Sequence, residues 1–395
     1  MPFALYLLAL VIFAMGTSEF MLAGLVPDIA THFGVSVGTA GLLTSAFAAG
    51  MLLGAPTMAA LTRRLPTKAT LLGCVLVFGL AHVAGALTPD FTVLFITRVV
   101  AAIMNAGFLA VALGAATKLV APGATGRAVA VLLAGTTVAT VAGVPAGALL
   151  GTALGWQSTF WAIAALCVPA AIGIAAGLTT RADESPTAEA SAPSLRTELA
   201  QLASPRLFLT MTLAALVNAG TFAMLTFLAP IVTDAAGLSQ WWVPVALVLF
   251  GVGSFIGVTA AGRLSDTRPR LVIVAGGSIL LFGWVALAVF ATQPVALLGI
   301  VFVQGVLGFA IGSTLITRVL YAATGAPTMA GSYATAALNM GAAVGPVLAA
   351  ASLGSVPGAL GPVWVAVITT AAALLIAAPV LRLIAPAKGK ISTQS

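Results

Sequence analysis

The sixteen basic residues of this chain are sorted between the polar gaps that separate its long apolar runs. Thirteen lie in alternate gaps or in a central polar stretch, two lie near the C-terminus, and only Arg98 lies inside an apolar run. The intervening gaps contain no Lys or Arg and cover residues 27–40, 88–91, 152–159, 233–241, 291–294 and 354–361. Because Lys and Arg are retained on the cytoplasmic side of a bilayer, this alternation predicts a chain that crosses a membrane many times.

The composition supports this interpretation and argues against other classes of protein. Apolar residues make up 61% and charged residues 6% of the chain, far from the balance of soluble domains. The net charge of +7 is spread over short separate segments, so no continuous basic surface that could bind nucleic acid is expected. Attraction of the basic segments to anionic lipid is expected instead. Cys74 and Cys167 both lie in apolar runs, which predicts neither a disulfide nor a metal site, and no cofactor is expected.

A helix needs about 20 apolar residues to cross the hydrocarbon core. The gaps therefore predict an all-α membrane protein with twelve transmembrane helices and both termini in the cytoplasm. The first helix lacks a basic leader and is expected to be retained, in a multi-pass protein of the plasma membrane. The predicted spans are 4–26, 41–61, 69–87, 91–117, 129–151, 160–178, 207–230, 243–262, 270–290, 295–317, 329–353 and 362–384.

The spans divide into two bundles of six. Residues 179–206 hold four of the nine acids and three prolines, a composition that predicts a cytoplasmic linker between bundles at 1–178 and 207–384, with a tail at 385–395. A shift of 203 residues brings the halves into register. It places Gly50 on Gly253, Gly54 on Gly257, Ala102 on Gly305 and Asn105 on Gly308. Parallel repeats predict substrate binding between the halves near mid-membrane.

Four segments carry a resemblance to a known family. They are GTSEFMLAGLVPDIA (16–30), AGVPAGALLGTALGWQSTFW (142–161), GRLSDTRPR (262–270) and GSTLITRVLYAATGAPTMAGSYATAALNMGAAVGP (312–346). With them the chain resembles the major facilitator superfamily over nearly its whole length, in particular the drug:proton antiporters. The last segment is most similar to chloramphenicol-resistance exporters. The resemblance implies proton-coupled drug efflux by alternating access, which would confer antibiotic resistance.

The resemblance also implies gating elements. Asp266, Arg268 and Arg270 match a loop that clasps the two halves in the outward-open state; the alternative is a solvated loop that follows the positive-inside bias. The first-half counterpart departs from the pattern, with Arg63 where an acid is usual and Pro66 where a glycine is usual. The fifth helix carries a ridge of small residues that predicts close helix packing. The resemblance adds that this ridge slides or seals during transport. Its residues are Gly135, Ala139, Gly143, Gly147 and Gly151, and Pro145 adds a bend.

Glu19 is the only acid inside a predicted span. Arg98 lies at a similar depth, roughly 10 Å below the outer start of the fourth helix. Each charge costs about 2.5–3.5 kcal/mol near the bilayer centre, so both are expected to have a partner or a role. Glu19 is the predicted proton carrier with Arg98 as its partner, a pairing that the resemblance also implies. The alternative is a static ion pair that joins the first and fourth helices.

Polar and aromatic residues on the inward helix faces are the candidate substrate contacts. Each polar residue is equally compatible with a role in joining helices, and each phenylalanine with a core or lipid-facing position. The candidates are Asn105, Asn218, Thr221, Gln304, Asn339, Phe20, Phe108 and Phe222.

The expected function is export of a small amphiphilic drug, chloramphenicol in the first place, in exchange for protons by a monomer in the lipid bilayer. A sugar, nucleoside or other metabolite exporter remains an alternative on the same scaffold. A membrane enzyme is not favoured, because no second acid, His or Cys is expected near Glu19. His32 and His82 are expected to have surface or packing roles.

Overall fold

The computed structural model describes residues 3–62, 65–118, 120, 125–177, 198, 200–326, 329–354 and 358–384, and it consists of helices joined by short turns. In chain order, the long helices are α1 Phe3–Phe20, α2 Val37–Thr62, α3 Thr67–Leu87, α4 Phe91–Lys118, α5 Thr125–Val138 with Val144–Leu154, α6 Gln157–Gly177, α7 Pro205–Thr226, α8 Trp242–Leu264, α9 Gly277–Phe290, α10 Pro294–Ala322, α11 Ala330–Ser352 and α12 Gly361–Ile384.

The predicted membrane spans coincide with these helices. Among the described residues, eleven helical segments are long and apolar enough to cross a membrane, and they correspond to α1–α11. Helix α12 covers the last predicted span, but its described apolar part, Gly361–Ala377, is shorter. A total of twelve crossings and the cytoplasmic location of the termini therefore remain predictions. Most of the predicted linker and the whole tail at 385–395 lie outside the described residues.

Two of the long helices are interrupted by short segments of other helix types. After Phe20, α1 continues as a 3-10 turn, Met21–Gly24, and then as a short helix, Val26–Phe33, with a proline in its first turn. Gly34 ends this short helix with a φ of 64°, a left-handed conformation that suits glycine. Helix α5 is divided by a π-helical segment, Ala139–Gly143, directly before Pro145. Such π-segments are frequent at functional sites. Glu19 thus lies at the point where regular helix ends.

The internal repeat is visible in helix packing. Gly54 of α2 lies against Ile103 of α4, and Gly257 of α8 lies against Val306 of α10. Both glycines and both partners are related by the 203-residue shift that the sequence indicates. One turn away, Gly50 lies against Val99 and Gly253 against Phe302, again at the same shift. The α2–α4 and α8–α10 pairs are therefore equivalent packing units, each of which depends on a glycine that lets the backbones approach.

The two halves touch at the end of the bundle that carries the Lys- and Arg-free turns. Helix α2 packs along α11, and α5 packs along α8. Gly38 lies against Ala350 at this end, and Gly251 lies against the backbone of Thr140 nearer the middle. We call the end that contains Gly38 and Ala350 the closed end, and the opposite end, which contains the basic turns, the basic end.

The glycine packing of α8 makes a testable prediction. In Gly257→Ala, the added Cβ meets the backbone carbonyl of Val306, so α8 and α10 must separate and we expect a loss of about 1–3 kcal/mol of stability. Gly262→Ala in the same helix is the control, because a Cβ there meets nothing within 4 Å. Thermal unfolding of the purified protein measures both. Equal midpoints for the two variants would contradict the packing account.

Candidate functional site

Arg98 of α4 is buried inside the first half and is held by a single residue of α1. Its side chain is 1% exposed. Its Nη2 donates to the backbone carbonyl of Ser18 at 2.7 Å, and its Nη1 donates to the Ser18 hydroxyl at 2.8 Å. The guanidinium also lies 4.5 Å from the centre of the Phe47 ring, a cation–π contact. These bonds fix the charge immediately beside the residue that follows Ser18, which is Glu19.

His82 of α3 extends this network, and its geometry determines the direction of each hydrogen bond. The Phe78 carbonyl can only accept, so His82 Nδ1 carries the proton and donates to it at 2.8 Å. His82 Nε2 is then an acceptor for the Ser18 hydroxyl at 2.8 Å, and that hydroxyl accepts from Arg98. The result is a relay of donors from Arg98 through Ser18 and His82 to Phe78, with a neutral imidazole.

Of the surface and packing roles expected for His82, the structure shows packing, whereas the expectation of no histidine near Glu19 is wrong. His82 is 1% exposed and shares Ser18 with Arg98. Estimates of depth along the chain place it close to a helix end, but they do not show which helix faces it. The aromatic rings of Phe78 and Phe160 pack on the imidazole at 4.4 and 5.6 Å between ring centres and exclude water from it.

Glu19 lies at the boundary between the halves. Its side chain is partly exposed, and it interacts electrostatically with Arg98 without forming a direct ion pair. It lines a small cavity of about 10 Å³, which is room for about one water molecule. The other lining residues come from both halves and are Phe20, Ala23, Thr44, Phe222, Leu225 and Thr226. The carboxyl group thus lies where relative movement of the halves changes its surroundings.

Two of the candidate aromatic contacts meet at the same boundary. The Phe20 and Phe222 rings lie 5.6 Å apart, and Phe222 is buried between Ala48 of the first half and Ala342 of the second. Phe108, in contrast, is fully buried in the apolar core of the first half. The structure therefore brings Phe20 and Phe222 to Glu19 and places Phe108 away from the boundary.

Most of the candidate polar contacts bond to neighbouring backbone. Asn218 donates to the Leu338 carbonyl and so joins α7 to α11, and Gln304 donates to the Leu280 carbonyl and joins α10 to α9. Asn339 and Thr221 bond to carbonyls of their own helices. Asn105 makes no such bond: it is 2% exposed and its Oδ1 has no hydrogen-bond partner among the described residues, as is also true of Gln304 Oε1.

The candidate gating residues contact their own halves in this conformation. Gly143 lies against Thr17 of α1, and Gly147 lies against Thr159 of α6, whose hydroxyl donates to the Gly147 carbonyl. Pro145 is buried beside them. The small-residue ridge of α5 therefore packs against α1 and α6 of its own half. The adjacent face of α5, at Thr140, contacts the second half.

The loop between α8 and α9 also pairs within one half. Asp266 lies 3.8 Å from Arg318 of α10 and accepts a hydrogen bond from the Tyr321 hydroxyl. Arg318 also donates to the Ser265 carbonyl. Arg268 and Arg270 are exposed at the same turn. Arg318 is not predictable from sequence as the partner of Asp266, because the two lie 52 positions apart along the chain.

The relay predicts the effect of removing the Ser18 hydroxyl. In Ser18→Ala, both Arg98 Nη1 and His82 Nε2 lose a buried partner, and we expect a loss of about 1–3 kcal/mol of stability together with reduced transport. Ser158→Ala is the matched control, because its hydroxyl bonds only to the Gly155 carbonyl at an exposed turn. Thermal unfolding and transport assays measure both variants. Wild-type stability and transport in Ser18→Ala would refute the relay.

Comparison with known proteins identifies the family of the chain. The family model described as Major Facilitator Superfamily matches residues 8–336. A chloramphenicol resistance protein of Streptomyces lividans is 63% identical over 379 residues, 96% of each chain. The inner membrane transport protein YdhP of Escherichia coli (strain K12) is 30% identical over 95% of each chain.

Among solved structures, a bacterial homologue of the human lysosomal transporter Spinster, inward-facing and occupied, matches with a TM-score of 0.74 and 19% identity over 96% of each chain. The fold, the eleven apolar helices and the family match lead to one conclusion. This chain is a multi-pass membrane protein that belongs to the major facilitator superfamily.

Proposed function

We propose that this protein exports chloramphenicol, or a small amphiphile like it, from the cytoplasm in exchange for protons and thereby confers resistance. The observation that carries the proposal is the 63% identity to the chloramphenicol resistance protein over 96% of both chains. The site supports it, because a carboxyl group at the boundary between two repeats is suited to ion coupling. The protein acts as a monomer in the plasma membrane, with the bundles at 1–178 and 207–384 as its moving parts.

In the proposed cycle, Glu19 exchanges its proton with opposite sides of the membrane in turn. Drug enters from the cytoplasm and favours release of the Glu19 proton to that side. The halves then rock, drug leaves, and protonation from outside resets the carrier. Arg98 is fixed by Ser18 throughout, so the charge of Glu19 changes next to a constant positive neighbour. Phe20 and Phe222 supply apolar contacts to the drug, and the unpaired Asn105 Oδ1 supplies an acceptor.

The driving force is sufficient for this exchange. One charge that crosses a potential of 100 mV provides about 2.3 kcal/mol. At about 1.4 kcal/mol for each factor of ten, this free energy sustains roughly a fortyfold gradient of a neutral drug. One proton for each drug molecule is therefore enough for resistance to a moderate dose.

Efflux measurements test the proposal. We expect cells that express the protein to accumulate less chloramphenicol, and an uncoupler to abolish the difference. Glu19→Gln keeps the shape of the side chain but cannot exchange a proton, so we expect it to lose uncoupler-sensitive efflux. Asp90→Asn is the control, since Asp90 is an exposed acid whose carboxylate accepts from the backbone of Thr92 and Val93 at the start of α4, and Asn is an equally good helix cap. Undiminished efflux by Glu19→Gln would exclude the coupling role.

The closed end provides a second support for alternating access. Gln240 Nε2 donates to both carboxylate oxygens of Asp28, at 3.1 and 3.0 Å, and so joins the two halves. If the Lys- and Arg-free turns lie outside the cell, as the positive-inside rule predicts, this contact closes the external side and the protein faces inward. Burial raises the pKa of Asp28, which lies outside the membrane spans, while the Gln240 hydrogen bond acts to lower it.

The sign of this pKa change predicts how the closed end responds to charge. Because the pKa is raised in the closed arrangement, protonation of Asp28 favours closure, and that contribution is lost as the pH rises through the raised pKa. Asp28→Asn removes the charge but keeps an acceptor for Gln240, so we expect a larger closed population. Gln240→Leu leaves the carboxylate without its donor, and we expect a smaller one.

Spin labels at the exposed positions Thr31 and Ser239 measure these populations as distance distributions, after the buried Cys74 and Cys167 are replaced by serine. The unsubstituted labelled protein is the reference. A wider separation in Asp28→Asn than in this reference would contradict the predicted sign.

A further inference from the structure

The cavity at Glu19 is lined by two hydroxyl groups for which the described part of the chain offers no hydrogen-bond partner. Thr44 of α2 is 6% exposed and Thr226 of α7 is 2% exposed. Their Oγ1 atoms have no partner among the described residues, and both residues line the cavity together with Glu19. An unpaired buried hydroxyl costs free energy, so two of them beside one carboxyl group require an explanation.

The behaviour of other threonines in this chain makes the two hydroxyls unusual. A threonine in a membrane helix ordinarily donates to a carbonyl three or four residues earlier. Thr57, Thr70 and Thr212 do so, to Leu53, Pro66 and Phe208. Thr44 and Thr226 have the same option in regular helix but do not use it. Their hydroxyls are therefore available to a ligand in the cavity.

The size and chemistry of the cavity define that ligand. A volume of about 10 Å³ is room for about one water molecule, far less than a drug-sized ligand occupies. A buried water needs two to four polar partners, and the Glu19 carboxyl and the two hydroxyls supply three. A sodium ion also prefers oxygen ligands, but the positive Arg98 beside Glu19 disfavours a second cation. The charged or titratable groups near Glu19 are Arg98 and, on the far side of Ser18, His82. The described parts of α2 and α7 add no such group there.

We propose that this cavity is a specific site for one ordered water molecule that bridges the Glu19 carboxyl to Thr44 and Thr226. Thr44 belongs to the first half and Thr226 to the second, so the site exists only while the halves are together at this level. When Glu19 is ionised, the water donates to the carboxylate and accepts from the hydroxyls. When Glu19 is protonated, its carboxyl O–H donates to the water. The bridge thereby links the protonation of Glu19 to contact between the halves.

This inference rests on the proposed function, and the pH dependence of efflux tests it. Thr226→Val keeps the shape of the side chain and removes the hydroxyl, so the pH of half-maximal efflux should shift by about 0.4–1 unit, the range that the loss of one hydrogen bond allows. Thr44→Val should behave alike. Thr226→Ser, which restores a hydroxyl, should return the wild-type profile. Thr212→Val in the same helix is the control, because its hydroxyl bonds to its own helix and is exposed.

The outcomes separate the two proposals. If Glu19→Gln exports the drug normally, the proposed function fails. If Glu19→Gln is inactive but Thr226→Val keeps the wild-type pH profile, only the water site is overturned. Should either threonine variant fold poorly, a structure of the unmodified closed form decides: ordered density within hydrogen-bond distance of all three side chains supports the site, and its absence overturns it. A profile that changes when sodium is replaced by choline would identify a cation site and overturn the water.

Discussion

The pair of hydrogen bonds from Arg98 to Ser18 is the interaction on which the site depends. A guanidinium group in the membrane is expensive unless its donors are satisfied, and here one residue of α1 satisfies two of them. His82 completes the arrangement by accepting a hydrogen bond from the Ser18 hydroxyl. Because Ser18 precedes Glu19 directly, the same bonds set the distance between the positive charge and the carboxyl group. The charge of Glu19 can then change while its neighbour stays in place.

The position of Glu19 relative to the two halves gives that change a mechanical consequence. Arg98, Ser18 and His82 all belong to the first half, whereas Phe222 and Thr226 reach the carboxyl group from the second. Separation of the halves removes only the second set. The π-helical segment of α5 packs beside Gly16 and Thr17 of α1, about one turn before the interruption that follows Phe20. The contacts of Glu19 with the first half therefore persist when the halves separate, whereas its contacts with the second half are lost.

The sequence was sufficient for the eleven described apolar helices and for the closeness of Glu19 and Arg98, for identifiable reasons. The gaps with and without Lys or Arg located the helices, and the 203-residue shift located the glycines that join α2 to α4 and α8 to α10. Glu19 and Arg98 were predictable because charges are rare in membrane helices. His82 was not, since depth along one helix does not tell which neighbour it faces. The same lack of rotational information led to Gln304 as a substrate contact, although it bonds to α9.

The most direct test of the account is the release of protons when drug binds to the purified protein in weakly buffered detergent solution. The account predicts that chloramphenicol binding to the wild type releases protons in proportion to the drug bound, and that Glu19→Gln binds the drug without releasing any. Drug binding by the wild type with no proton release, or equal release by both proteins, would contradict the assignment of Glu19 as the coupling carboxyl group.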